Sequence, residues 1–359
     1  MKVYSMPSAG KMVAVFIISA SLITGCTKAD SEYKRSGISG SSIDELPGSI
    51  ITTPGLPTDT VVNYLVLNNS EAMQVSNQSD VIIENLRFEN IDGIVLNITG
   101  SNNIIIRNCF FNKATAEAIN IEASTNITID KCLFNGVITG VYALNSQTIK
   151  VNNSQFVNVK RNASGGRGQC VQFNNVTGAG NEVNNNKGEN FFGESDPEDL
   201  ISMFNSSGTE ESPISIRNNI FRGGGPSASG GGIMLGDYGG SYQIAENNIL
   251  LNPGQYGMAA SGGNYIQILN NKIFAKQQYF SNNPLYVANY SPTSCGIITV
   301  KGNLVNWTNR DGDKNGGWNA EHCDNTSFEY PSTISLEEMN VPEHLITLIT
   351  QEELLEIRK

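Results

Sequence analysis

One octet recurs at a fixed interval, and that interval limits the fold more than any other feature. Ile104-Ile105-Ile106-Arg107-Asn108-Cys109-Phe110-Phe111 is followed 23 positions later by Ile127-Thr128-Ile129-Asp130-Lys131-Cys132-Leu133-Phe134. It is preceded 23 positions earlier by Val81-Ile82-Ile83-Glu84-Asn85-Leu86-Arg87-Phe88. The pattern returns as Ile149/Val151, Ile214/Ile216, Tyr242/Ile244, Ile266/Ile268 and Ile298/Val300, and weakly around Val183. Two apolar residues at alternate positions make each instance a strand with one face inward. Beyond each strand lies one column of Leu86, Cys109, Cys132, Ser154, Asn186, Asn219, Asn247, Asn271 and Asn303. A second column holds Phe88, Phe111, Phe134, Phe156, Gly188, Phe221, Ile249, Ile273 and Val305. Another strand per repeat often begins with glycine, as in Gly93-Ile94-Val95-Leu96, Gly140-Val141-Tyr142-Ala143, Gly232-Ile233-Met234-Leu235 and Gly257-Met258-Ala259-Ala260.

Short units of strands and turns, with no helix, stack as coils of a parallel β-helix. Like residues then sit above one another at about 4.8 Å. Leucine-rich repeats are the rival architecture, and the columns lack their leucine spacing. An asparagine column suits a coil turn, because each amide donates to one neighbouring coil and accepts from the other. Composition agrees: 45 asparagines and 36 glycines disfavour helices and fill turns. A net charge of −11 argues against nucleic acid as a partner. With only 16 % charged residues and many Ile, Val and Phe, the chain is not a disordered one.

On these columns the sequence resembles the right-handed parallel β-helix superfamily of pectate lyases and polygalacturonases, over about residues 60–310. The reading is an all-β, right-handed parallel β-helix of about 9–10 coils with a short C-terminal helical cap. The resemblance implies action on, or binding of, a polysaccharide.

The ends divide the chain further. Lys2 and Lys11 precede an apolar run from Met12 to Ile23, and Ile23-Thr24-Gly25-Cys26 resembles a bacterial lipobox. Residues 1–25 are then a lipoprotein signal peptide, with lipidation at Cys26 and an outer-membrane anchor. The alternative is an ordinary signal peptide with a chance cysteine. Residues 26–50, polar and rich in Ser and Gly, form a tether; 51–332 are the β-helix and 333–359 the cap. A monomer is expected. Cys109 and Cys132 share one inward column and read as stacked thiols or a cross-link; Cys170, Cys295 and Cys323 have no assignment.

The repeat is interrupted between about residues 158 and 238, where coils carry five to ten extra residues. Extra residues in a solenoid project as loops on one face, commonly the binding face. Here lie Lys160-Arg161, Arg167-Gly168-Gln169, the acidic run Glu194 to Asp199, Arg222 to Pro226 and Gly236 to Gly240; Gln255-Tyr256 follow one coil later. Arg167, Asp199 and Gln255 stand at the starts of strands, so stacking brings them to one face.

Three chemistries fit. In the first, Glu194, Asp196 and Glu198 bind Ca²⁺, which neutralises a uronate for β-elimination. Gly193-Glu194-Ser195 resembles the metal-binding segment of the lyase family containing chondroitinase B and alginate lyases, which makes Arg222 the candidate catalytic arginine. The family's following lysine is missing from Leu200-Ile201-Ser202-Met203-Phe204. In the second, Asp199 and Asp237 are the acid and base of a glycoside hydrolase, with Glu198 in reserve. The polygalacturonase Gly-His-Gly is missing, and the histidines, His322 and His344, lie elsewhere. In the third, the acidic run is a structural turn and the protein a non-catalytic glycan binder or surface spacer. Arg167 is a further catalytic candidate. Gln169, Tyr238, Gln255 and Tyr256 are candidates for sugar contact, with Tyr242 and Trp307 as further aromatics. The glycine-rich stretches 223–225 and 230–232 lack a phosphate-binding pattern and read as close backbone approaches.

Overall fold

A computed structural model describes the backbone of residues 40–42 and 50–52, and residues 62–359 apart from 163–167, 228, 291–294, 321–322 and 324. Cys26 and Arg167 lie outside the described residues. Three parallel sheets of eleven strands each run the length of a solenoid, and each strand pairs with the strand one coil on. The described residues make eleven coils, against about 9–10 expected. The added coils are terminal: Gly40–Ser42 and Ile50–Thr52 open the first two sheets, and Trp318–Asn319 and Thr326–Phe328 close them. Neither end carries the apolar alternation that marks the middle.

In each coil, a strand of sheet 1 leads to sheet 2 and then to sheet 3. The octet spans sheets 2 and 3. Ile104 and Ile106 pair with Ile127 and Ile129 in sheet 2, and Phe111 pairs with Phe134 in sheet 3. The rings of Phe88, Phe111, Phe134 and Phe156 stack at 5.0, 5.0 and 4.7 Å, and all four are fully buried. Gly188 interrupts the stack, and Phe221 tilts toward the gap at 6.4 Å from Phe156.

Two residues separate sheets 2 and 3, and both favour asparagine. The first adopts a left-handed backbone, as at Asn85, Asn108, Asn153, Asn185, Asn218 and Asn270. Asn tolerates this region better than other side chains. Among the described residues, 17 of the 25 non-glycine positions with positive φ are asparagine. The second residue forms the ladder Asn186, Asn219, Asn248, Asn271 and Asn303. From Asn219 on, each Oδ1 accepts from the backbone N–H and the Nδ2 of the coil before, at 2.9–3.0 Å, and the Asn186 Oδ1 accepts from the Ser154 N–H at 2.9 Å. Each Nδ2 also donates to a strand carbonyl at 2.8–3.0 Å.

One coil is shifted by a residue from the periodic reading. Gln243 and Ala245 pair with Ile266 and Ile268, so Tyr242 and Ile244 are not the inward pair. Asn248, not Asn247, is the ladder member, and Leu250, not Ile249, pairs with Phe221. The cause is a polar residue in an apolar slot. Gln243 is fully buried, donates to the Ser206 carbonyl at 2.7 Å and accepts from the Gly236 N–H at 2.9 Å. Asn247 takes the left-handed position beside it (φ 57°).

The C-terminal segment runs back along the outer side of sheet 3 rather than closing an end. Ile334 and Met339 pack on Leu251, and helix α1 (Gln351–Ile357) places Leu354 and Ile357 among Phe110, Leu133 and Val157. A capping box between Thr350 and Glu353 starts the helix. Cys295 and Cys323 form a disulfide between loops of the last two coils, while Cys109, Cys132 and Cys170 are buried free thiols.

Candidate functional site

The interruptions of the repeat converge. Three consecutive connections from sheet 3 to sheet 1 lie at the same corner, their described residues being 158–162 and 168–170, 190–200, and 223–227 and 229–232. Backbone stacks directly on backbone there. A Cβ on Gly225 would meet the Pro197 carbonyl at 2.0 Å, and one on Gly230 would meet that of Glu198 at 1.9 Å. The glycine-rich stretches are close approaches, as expected.

The acidic run braces these loops, with a different partner for each carboxylate. Glu194 is held by Arg358 at 2.6 and 2.9 Å and by Asn158 at 2.9 Å, and the arginine keeps its carboxyl below the usual range. Asp196 accepts from the Arg161 backbone at 3.0 Å. Glu198 takes Arg161 at 3.2 Å, Ser227 at 2.9 Å and Ser229 at 2.5 Å. Among the described residues, no three His, Cys, Asp or Glu side chains are placed to hold a metal ion. The Ca²⁺ set Glu194, Asp196 and Glu198 therefore does not fit as drawn from sequence. Arg222 is also committed elsewhere. It pairs with Glu189 at 3.2 Å and donates to the carbonyls of Pro342 and Glu343, which pins the C-terminal segment to sheet 3. It is an architectural arginine.

Asp199 differs from its neighbours. It stands two residues before Ile201, which pairs with Val171 and Ile233; Ile233 in turn pairs with Met258. Two residues before those partners stand Gln169, Gly231 and Tyr256, so the four form one column on sheet 1. Asp199 Oδ1 accepts from the Gly231 N–H at 2.8 Å and from the Tyr256 hydroxyl at 2.5 Å. Only glycine fits at position 231, where a Cβ would meet Tyr256 at 2.5 Å. Burial pushes the Asp199 carboxyl well above its usual value, and the charges of Glu198 and Asp237 push the same way. Two donors occupy the lone pairs of Oδ1, which leaves Oδ2 as the oxygen free to carry a proton.

Asp237 ends the sheet 1 strand Ile233–Asp237. Burial pushes its carboxyl up to about 6, against the Tyr238 N–H that donates to it. The nearby tyrosines feel both acids: burial first, then Asp199, raises Tyr256 and Tyr286 well above their usual values, and Asp237 adds to both. Every charged neighbour that shifts Asp199 is an acid, and the shift of Asp237 comes from burial and the opposing Tyr238 N–H.

An aromatic floor surrounds the pair. Met234, Tyr256 and Ala259 are buried together against Tyr286. Tyr286 meets Tyr256 edge-on at 5.3 Å, Tyr290 at 6.4 Å and Trp318 at 6.4 Å. Tyr290 and Trp318 are 53 % and 44 % exposed, and Tyr238 stacks on Phe204 at 5.1 Å.

The structure thus gathers Asp199, Asp237, Tyr238 and Tyr256 on one face, with Gln169 in the Asp199 column. Gln169 is buried and accepts from the Gly168 N–H at 2.9 Å. Gln255 joins the stack through its backbone, which donates to the Gly230 carbonyl at 3.1 Å. Tyr242 stacks on Tyr265 beside sheet 2 and Trp307 is buried, so neither joins the site. Tyr286, Tyr290 and Trp318 were not foreseen. Tyr286 was within reach of the repeat, because it pairs with Ala259 one coil earlier.

Residues 57–198 match the family model described as a right handed beta helix region. No curated protein matches the chain. Among solved structures, it is similar to PfbA, a surface adhesin of Streptococcus pneumoniae, at 16 % identity and a TM-score of 0.39. That match covers 67 % of this chain and 64 % of the adhesin. It is also similar to an alginate lyase from Paenibacillus sp. at 11 % identity and a TM-score of 0.44, covering 70 % of this chain and 89 % of that one.

Proposed function

We propose that this right-handed β-helix cleaves a neutral glycan by acid–base hydrolysis on the outer face of sheet 1. The observation that carries the reading is a buried carboxylate, Asp199, and a half-buried one, Asp237, both pushed upward beside a tyrosine and tryptophan floor. Asp199, neutral and with its proton on Oδ2, is the general acid toward the leaving oxygen. Asp237, ionised above about pH 6, is the base that activates water. The aromatic rings offer apolar faces to sugar rings.

Elimination from a uronate fits this face less well. It needs a cation to neutralise the substrate carboxylate and a base to take the adjacent proton. The charged groups that shift the two acids include no Lys or Arg, and Tyr256 and Tyr286 are held neutral. A second reading has its own support: the two bonds to Asp199 Oδ1 make that acid a strut between loop and strand, which suits a non-catalytic glycan binder.

Incubation with neutral and uronate polysaccharides separates these readings. Hydrolysis predicts reducing-end release from a neutral polymer, a rise in activity through about pH 6, and loss of turnover in Asp199→Asn and Asp237→Asn. Absorbance from a new C=C bond would replace the proposal with a lyase. Binding without turnover, unchanged by either substitution, would leave the binder.

A further inference from the structure

A cavity of about 700 Å³ lies at the corner between sheets 3 and 1, between the end of helix α1 and the turns of coils 2 to 6. We infer that this cavity binds a small polyhydroxylated anion, with Lys113 and Lys160 holding its oxyanion group.

Its charge runs against that of the chain. Four cations, Lys113, Lys160, Arg161 and Arg358, line it against two carboxylates, Asp92 and Glu194, in a protein of net charge −11. Arg358 is neutralised by Glu194 at 2.6 Å and lies over the Phe191 ring, and Arg161 is paired with Glu198 at 3.2 Å. Asp92 accepts from the Thr115 hydroxyl at 2.7 Å. Lys113 and Lys160 form no ion pair among the described residues, and both are exposed. They rise from turns two coils apart, roughly 10 Å at the inter-coil spacing, which two lysine side chains can bridge through one small ligand.

The backbone at Lys113 gives independent support. It holds a left-handed conformation (φ 60°) in a turn column where Asn90, Gly136 and Asn158 occupy the equivalent positions. Lysine gains nothing there that Asn or Gly would not give, and strain of this kind concentrates at functional positions. Gly136 leaves room for it, since a Cβ there would sit 3.4 Å from the Lys113 Cγ. Asn90, Thr115, Asn135 and Asn158 bring polar groups to the lining, and Ile91, Ala114, Ile138 and Ile357 give it apolar surface for the C–H face of a sugar. The volume lies within the range of small-molecule sites.

The inference does not rest on hydrolysis at Asp199 and Asp237. Titration calorimetry of the full chain with glucuronate, glucose 6-phosphate, inorganic sulfate and glucose tests it. An anionic sugar should bind, glucose should not, and Lys113→Asn with Lys160→Gln should weaken binding by about tenfold or more. Lys113→Asn suits the left-handed turn, so its melting temperature should hold or rise while binding falls. Binding unchanged in that pair of variants would overturn the site. Sulfate binding as tightly as either sugar would overturn the polyhydroxylated ligand.

Discussion

Replacing Asn219 by alanine tests whether the asparagine ladder holds the coils in register. Asn219 is fully buried. Its Oδ1 accepts from Asn186 N and Nδ2 at 2.9 and 3.0 Å, and its Nδ2 donates to the Val183 carbonyl and to Asn248 Oδ1 at 2.8 and 2.9 Å. Alanine removes all four bonds and leaves the Asn186 N–H without its acceptor. That orphan alone costs about 1–3 kcal/mol, and the other bonds bring the loss to roughly 3–5 kcal/mol. Serine provides the internal control. Ser154, two coils earlier in the same column, accepts from the Cys132 N–H at 3.1 Å and donates to the Asn152 carbonyl at 3.0 Å. Asn219→Ser keeps that acceptor and should lose about 2 kcal/mol less than alanine. Urea unfolding gives the totals, and hydrogen exchange at the Asn186 amide reads the bond itself, with protection ordered Asn, Ser, Ala. Equal stability and equal exchange for Ser and Ala would refute the claim that the ladder works by satisfying the turn amide.

Two other substitutions probe the core and the far end. Gly188→Ala places a Cβ 2.1 Å from the Phe221 ring, so it should destabilise by about 1–3 kcal/mol in thermal unfolding, and Phe221→Leu in the same chain should recover part of the loss. Removing the Cys295–Cys323 disulfide opens a loop of 28 residues and should cost about 3–4 kcal/mol under oxidising conditions; under full reduction the difference should vanish.

The repeat was legible because buried strands and stacked turns each demand a residue type. Ile104/Ile106 and the phenylalanines could be aligned by eye, and the alignment gave the fold. It slipped where a buried polar side chain satisfied itself: Gln243 stands inside by bonding Ser206 and Gly236, and no hydropathy pattern marks such a pair. The adjacent Asn247 and Asn248 then offered two equal choices for one ladder position. At the site, stacking along sheet 1 pointed to Asp199 and Tyr256. It could not show that Arg222 and Glu194 are taken by the C-terminal segment, because Pro342, Glu343 and Arg358 lie 120 residues or more away in sequence.

The acidic run shows why residue type alone could not assign its chemistry. Glu194, Glu198 and Asp199 lie within six positions, and all looked like metal ligands or catalytic acids. An exposed carboxylate facing an arginine is stabilised as an anion, which is the state of Glu194 beside Arg358. One that receives an arginine and two hydroxyls is a bracket between loops, as Glu198 is between Arg161, Ser227 and Ser229. A carboxyl stripped of water beside other acids is pushed toward its neutral form, which is the direction of Asp199. Of these carboxylates, Asp199 is the one that burial pushes upward. It also shares the tyrosine-rich face with Asp237, which can take a proton. The proposed proton transfer therefore uses the sheet 1 face, while the braced loops beside it hold that face in place.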